Sequence, residues 1–233
     1  MLTIKKKFAK TNRIFDLFFP KFCVGCQIEG TWLCDECFQK IVFVSSQVCP
    51  QCGRLSLQGR YCTSCRKGKS IRGIICAAHY NGGPTKELIH NLKYNSVTEI
   101  VLILGKVMAK ALQKNVPKKD ILITFAPLHR RRLAQRGFNQ AELLAKNISK
   151  TNKIPMKNLL EKKKNTKRQV ELKGRERRKN LEGVFAFKDG DLKGKTIIIV
   201  DDVTTTGATL NECAKVLKKA GAKEVWGLVV ARG

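Results

Sequence analysis

The chain has 233 residues, with 46 Lys and Arg against 18 Asp and Glu, a formal net charge of +28, and ten cysteines. This length allows one ordinary domain and a smaller companion, and 43% apolar with 27% charged residues exclude wholesale disorder. No apolar run approaches the ~18 residues of a membrane span. The N-terminal stretch Lys5-Lys6-Lys7 followed by Ile14–Phe19 imitates a signal peptide, but it is too short, holds Asp16 and lacks a small-residue cleavage site. A cytoplasmic protein is expected. Residues 129–180 carry 18 basic and 4 acidic side chains, half of the whole excess, and such clustering points to a polyanion rather than an evenly solvated surface.

Taken in chain order, residues 1–70 comprise a helix-like N-terminal segment and a cysteine module. Cys23-Val-Gly-Cys26, Cys34-Asp-Glu-Cys37, Cys49-Pro-Gln-Cys52 and Cys62-Thr-Ser-Cys65 are four CxxC pairs. Two thiolates separated by two residues grip one metal ion from a tight turn, and two such turns complete a tetrahedron. Gly25 and Gly53 lie at these turns, where a permissive backbone helps. Disulfides and an iron–sulfur cluster are the alternatives. A reducing compartment disfavours the first, and the regular spacing favours two structural Zn2+ sites over the second. Sequential ligation, 23/26 with 34/37 and 49/52 with 62/65, closes shorter loops than a cross-braced arrangement and is the simpler expectation. Cys76 and Cys213 read as small core residues.

Residues 71–233 read as an α/β domain with a mostly parallel sheet flanked by helices. Ile71–Tyr80 is a β-leaning run, followed by the turn Asn81-Gly82-Gly83-Pro84, with Pro84 suited to a first helical position. Thr85–Tyr94 places Leu88, Ile89 and Leu92 at helical spacing. Ser96-Val-Thr-Glu99 has the pattern of a capping box for a longer helix carrying Ile100, Ile103, Leu104, Val107, Met108 and Leu112. Ile121–Ala126 is a strand stopped by Pro127, Phe138–Ser149 a helix, and residues 150–180 a basic, poorly periodic loop. Thr196–Val200 is the short apolar run of a strand buried on both faces. A helix near Ala208–Ala220 follows, with Gly221 as its stop, and Glu224–Ala231 is a final strand. This alternation is the signature of a parallel sheet covered on both sides.

The densest functional signal is Ile197-Ile-Ile-Val-Asp201-Asp202-Val-Thr204-Thr205-Thr206-Gly207-Ala208-Thr209. A buried strand ends in two adjacent carboxylates and passes through a Thr- and Gly-rich turn into a helix. Ligands bind at the carboxyl ends of strands in open parallel sheets, and backbone N–H groups, hydroxyls and a helix N-terminus suit a phosphate. Carboxylates beside a phosphate cradle match a ribose 5-phosphate, with its vicinal hydroxyls. The Walker pattern of P-loop nucleotidases is absent.

The segment resembles the phosphoribosyl pyrophosphate (PRPP) binding motif of type I phosphoribosyltransferases. Over a wider span the chain resembles the ComF/ComFC competence proteins, which join a zinc-ribbon module to such a domain. The likeness includes the cysteine pairs, Tyr80, Leu92-Lys93-Tyr94, Pro127-Leu128, Arg136-Gly137-Phe138-Asn139-Gln140, Gln169-Val-Glu-Leu172, Arg177, Asn180 and Phe185. It implies that Asp201 and Asp202 bind the ribose hydroxyls and serve catalysis, and that Thr204, Thr205, Thr206, Gly207, Ala208 and Thr209 hold the 5-phosphate. Mg2+ is then expected with PRPP, a pyrophosphate loop at Leu128, His129 and Arg130, and a mobile lid around Lys163–Arg178. The acceptor stays open. His129 by itself is more often incidental than a general base, and His79 and His90 receive no role.

The resemblance further implies a part in DNA uptake during natural transformation, with single-stranded DNA bound in the cytosol and DNA-uptake or recombination proteins as partners. Arg131, Arg132, Arg136, Lys162, Lys163, Lys164, Lys167 and Arg168 are the nucleic-acid candidates. Phe22, Trp32, Phe38 and Tyr61 read as the mini-core of the ribbons rather than as base-stacking residues. The alternative function is a non-catalytic zinc-ribbon adaptor that binds nucleic acid or protein and retains a PRPP-type fold.

Overall fold

The computed structural model describes residues 20–116, 120–164 and 183–233. Two short helices, α1 (Asp35–Gln39) and α2 (Thr63–Arg66), belong to the cysteine module. The remainder runs β1 (Gly73–His79), α3 (Thr85–Tyr94), α4 (Ile100–Asn115), β2 (Ile121–Phe125), α5 (Arg130–Arg136) and α6 (Gln140–Asn152). It continues through β3 (Leu160–Lys162), β4 (Phe185–Phe187), β5 (Thr196–Thr204), α7 (Ala208–Lys219) and β6 (Glu224–Arg232). The main sheet has the order β1-β6-β5-β2 and is parallel throughout, while β3 and β4 form a separate antiparallel pair.

The central strand β5 is the most apolar: Ile197, Ile198, Ile199 and Val200 are fully buried. Helices α4 and α6 pack on each other and on β1, β2 and β5, whereas α7 packs on β4, β5 and β6. Gly105 lies mid-helix in α4, where glycine is normally unfavourable. A Cβ there would collide with Asn147 of α6, so the glycine permits the close helix approach.

Both outer strands have their free edges covered. Along β1, Val44 N–H donates to the Ala77 carbonyl at 3.1 Å and His79 N–H to that of Val42 at 2.9 Å. The Gln47 amide acts as a surrogate strand: its Nε2 donates to the Cys76 carbonyl at 2.9 Å, and its Oε1 accepts from Cys76 N–H at 3.0 Å. Farther down, Tyr61 N–H donates to the Arg72 carbonyl at 3.3 Å. Beside β2, Ile123 N–H donates to the Pro155 carbonyl at 2.9 Å and Lys157 N–H to that of Ile123 at 3.0 Å.

Several sequence expectations need correction. The stretch from residue 150 is not all loop: α6 reaches Asn152, residues 155–157 pair with β2, and β3 follows. Strand β5 does not end at Asp201 but continues to Thr204, because its register with β6 carries on through Asp201↔Val229 and Thr204↔Arg232. The Ser96–Glu99 capping box does not form. Ser96 has φ +56°, away from the extended N-cap geometry, and Glu99 precedes α4 with helical dihedrals and no capping bond. Its carboxylate instead meets Lys21 Nζ at 2.9 Å and accepts from Trp32 Nε1 at 3.0 Å, fastening the first ribbon to α4. Pro84 stands one position before its helix rather than inside it. Helix α5 was not foreseen. Its seven residues hold only Leu133 and Ala134 as apolar side chains, too few for a period, and it is delimited by the His129 cap and by Gly137 at φ +79°.

Gly59 tests the edge contact. It has φ +73°, and a Cβ there would strike the Ile74 carbonyl of β1. Gly59→Ala is expected to lower thermal stability by roughly 2–4 kcal/mol, or about 5–10 °C at this size, measured on zinc-loaded protein. A melting point within one degree of wild type would remove this contact from the fold's requirements.

Candidate functional site

The eight paired cysteines gather into two groups, Cys23, Cys26, Cys34 and Cys37, and Cys49, Cys52, Cys62 and Cys65, each with all its sulfurs within 4.8 Å of one another. This is the sequential grouping. Tetrahedral thiolates about 2.3 Å from zinc lie about 3.8 Å apart. The Cys23–Cys34, Cys26–Cys34 and Cys52–Cys62 sulfurs are 3.8, 3.7 and 3.7 Å apart. Backbone N–H groups also point at the sulfurs, from Cys34 to Cys23 at 3.4 Å, from Cys37 to Cys34 at 3.4 Å and from Cys62 to Cys49 at 3.5 Å. Donors of this kind favour thiolate over thiol. All ten cysteines are unbridged. The donor sets fit Zn2+ with four protein ligands each, a structural arrangement.

At the carboxyl end of β5 the strand alternation sends Asp201 and Asp202 in opposite directions. Asp202, 3% exposed, forms an ion pair with Lys93 of α3 at 3.0 Å, and its other oxygen accepts from Val203 N–H at 2.6 Å. Burial would depress the Lys93 ammonium, but the adjacent Asp202 charge prevails and raises it. Asp201 faces the side of Lys162 and Cys213. Its carboxyl is raised to about 7, first by burial and then by the Asp202 charge. Lys93 pairs directly with Asp202, while half-buried Asp201 accepts from Asp202 N–H at 2.9 Å and feels the Lys93 charge without an ion pair to it.

Beyond them, Thr205 and Thr206 are exposed, Thr204 and Gly207 are buried, and Gly207 at φ +74° is the N-cap of α7. Thr206 Oγ1 accepts a long 3.4 Å bond from Ala208 N–H. A turn of this form offers backbone donors and a helix N-terminus to an anion. The segment after β2 lines a separate cleft, to which none of Asp201, Asp202 or Thr204–Thr209 contributes. A cleft of about 520 Å³ brings together Leu128, His129, Arg130, Lys162, Lys163 and Lys188. Imidazole protonation at His129 is disfavoured by burial, then by Arg130, Lys162 and Arg131. Its Nδ1 accepts from Arg131 N–H at 3.3 Å, so its visible work is to cap α5.

The basic candidates separate. Arg130, Arg131, Lys163 and Lys164 are exposed, while Lys162 is half-buried in β3 rather than on a loop, with its ammonium 5.7 Å from the Phe185 ring. Arg132 is half-buried, its charge felt at Lys162. Arg136 donates to Gln140 at 2.7 Å and lies 5.8 Å from the Tyr94 ring centre. Lys167, Arg168, Gln169–Leu172, Arg177 and Asn180 lie outside the described residues, as do Lys5–Lys7 and Ile14–Phe19. The chain leaves at Lys163 and returns at Val184, whose carbonyl accepts from Lys163 N–H at 2.8 Å. Sequence reasoning missed Lys93 as a site residue. It reads there as a favourable cation in the last turn of a helix, and only its place four residues after the apolar Ile89 hinted at another use.

Comparison with known proteins agrees with this geometry. Residues 133–233 match the family model "Phosphoribosyl transferase domain" and residues 14–66 match "Double zinc ribbon domain". Competence protein F of Haemophilus influenzae is 32% identical, covering 92% of this chain and 99% of its own. Competence protein ComFC of Bacillus subtilis is 29% identical over 81% of this chain and 79% of its own. DNA utilization protein YhgH of Escherichia coli O157:H7 is 31% identical over 90% and 96%. No helix among the described residues is long and apolar enough to cross a membrane.

The raised carboxyl of Asp201 has a definite sign. The native state holds a proton that the unfolded chain has released, so ionising Asp201 destabilises the ligand-free protein as pH rises from about 4 through about 7. The melting-temperature advantage of Asp201→Asn over wild type should therefore grow between about pH 4 and about pH 7 and level off above. The zinc thiolates are common to both proteins and cancel in the difference. A difference independent of pH would contradict the raised carboxyl.

Proposed function

The chain belongs to the ComF/ComFC family of competence proteins, and on that premise we propose that it is a cytoplasmic PRPP-binding protein of the phosphoribosyltransferase type that also engages single-stranded DNA. The observation that carries the reading is the carboxylate pair near the carboxyl end of β5, Asp202 buried and Asp201 half-buried, just before the turn into α7. Asp201 and Asp202 accept from the ribose hydroxyls, and Thr204–Thr209 hold the 5-phosphate. Leu128, His129 and Arg130, with Lys162 opposite, face the pyrophosphate. Mg2+, when bound with PRPP, supplies charge neutralisation and Lewis acidity at the departing pyrophosphate.

Transfer from PRPP breaks the bond between ribose C1 and a pyrophosphate oxygen and forms one from C1 to an acceptor nitrogen. It needs no covalent nucleophile, so the protein's task is to orient and to stabilise charge. Asp201 accepts a ribose hydroxyl beside the Asp202 N–H it already binds, and Lys93 holds Asp202 in place for the same purpose. The exposed Arg130, Arg131, Lys163 and Lys164, continued in sequence by Lys167 and Arg168, supply the phosphate contacts for a nucleic acid strand. The relatives named for competence and DNA utilization support that role, with DNA-uptake or recombination proteins as partners.

Titration calorimetry with PRPP and Mg2+ tests the first half: wild type should bind, and Asp202→Asn should weaken binding by about a hundredfold. No heat from wild type would overturn the reading. For the second half, the affinity for an oligo-dT strand should fall steeply with salt, with a slope near −0.7 per phosphate neutralised. Charge reversal at Lys163 and Lys164 should flatten that slope. An unchanged slope would remove these lysines from the DNA site.

A further inference from the structure

The second cysteine centre touches the phosphate turn through one side chain. Tyr61 immediately precedes the ligand Cys62, and its N–H is paired to the Arg72 carbonyl, so its position is fixed from both sides. The residue is 4% exposed, and its hydroxyl has no hydrogen-bond partner among the described residues. Folded proteins seldom tolerate a buried hydroxyl left in that state. Its neighbour is Gly207: a Cβ there would lie 3.0 Å from the Tyr61 oxygen and 2.7 Å from Ile74 Cδ1.

Gly207 is the N-cap of the twelve-residue α7 and offers no side chain to its first N–H groups. The same helix start is tied to the segment before β1, where Asn211 Oδ1 accepts from Ser70 N–H at 3.0 Å. A helix start whose N-cap carries no side chain and an orphan hydroxyl therefore meet at one point. We propose that Tyr61, carried by the cysteine module, is a binding residue of the phosphate turn, its hydroxyl donating to the bound phosphomonoester or to the turn that closes on it. The cysteine module then contributes directly to recognition of the sugar phosphate. The inference rests on the PRPP reading above and goes beyond it in assigning part of the site to the module outside the phosphoribosyltransferase domain.

The test is Tyr61→Phe in the full-length, zinc-loaded chain, with ribose 5-phosphate, PRPP and inorganic pyrophosphate titrated separately. Zinc content and melting temperature should match wild type, because the ring is retained and the lost hydroxyl had no partner. Affinity for ribose 5-phosphate and for PRPP should drop about tenfold or more, as for a lost hydrogen bond to a charged group, and pyrophosphate affinity should stay constant. Unchanged ribose 5-phosphate affinity, with PRPP binding still weakened in Asp202→Asn, would overturn this proposal and leave the PRPP reading standing. Equal losses for all three ligands together with lost zinc would also overturn it, since that marks a structural role. A wild-type chain that binds none of the three would overturn both.

Discussion

The open edge of β1 is the constraint on which the rest depends. A parallel sheet of four strands presents two rows of unpaired N–H and C=O groups, and neither can be left bare without inviting aggregation. The β2 edge is closed by residues of the same domain, through Pro155 and Lys157. The β1 edge is closed by the cysteine module: residues 42–44 pair with its end, the Gln47 amide with its middle and Tyr61 with the residue before it. A module of this size has too little apolar surface to fold unaided, so its stability derives from its metal centres. Zinc therefore supports the sheet at one remove. Leu33, Ile41 and Tyr61 share one buried cluster with Ile74, Ile75 and Leu228, so the composition break near residue 70 is not a break in packing.

The same edge brings the module to the site. Ile74 of β1 and Tyr61 together fill the space beneath Gly207, and Arg232 at the end of β6 donates to the Thr205 carbonyl at 3.3 Å. The Thr204–Gly207 turn is thus pressed from below by one strand, one ribbon side chain and one arginine. On the opposite side of β5, Lys93 reaches Asp202 from α3, whose start is set by the turn at Gly83. That glycine has φ +63°, and a Cβ there would strike the Lys40 carbonyl of the module. Contacts from the module bear on both sides of the strand that carries the carboxylates. Such contiguity is what physical coupling between a metal centre and a ligand site requires.

Much of this was legible in the sequence where one local rule dominates. Four CxxC pairs admit few geometries, the run Ile197–Val200 fits only a strand buried on both faces, and Gly221, at φ +98°, ends α7 as read. The failures share a cause: tertiary partners redirected residues with a good local use. Glu99 satisfies a capping pattern, yet Lys21 and Trp32 claim its carboxylate. Lys93 looks like a helix-end cation, yet Asp202 lies within reach. Residues 155–157 show no β alternation because they join only the outermost strand, at one bridge. Helix α5 is invisible because arginines and a side-chain cap, not an apolar stripe, define it.

Charge gives the last distinction. A chain at +28 should hold every carboxylate ionised, yet Asp201 is raised to about 7. Burial and the adjacent Asp202 act at contact and prevail there. Lys93 serves Asp202, while Arg130, Lys162, Lys163 and Lys188 border the cleft with Leu128 and His129. On the proposed reading this wall meets the pyrophosphate end of PRPP, and Arg130 and Lys163 are also among the exposed cations that would grip a nucleic acid strand. Two polyanions drawing on the same few cations cannot both be fully neutralised there. On that reading sugar recognition at Asp201, Asp202 and the Thr204–Thr209 turn would be separate from that shared charge. PRPP and DNA would then antagonise each other through the pyrophosphate wall alone, while ribose 5-phosphate, lacking a pyrophosphate, would be indifferent to DNA.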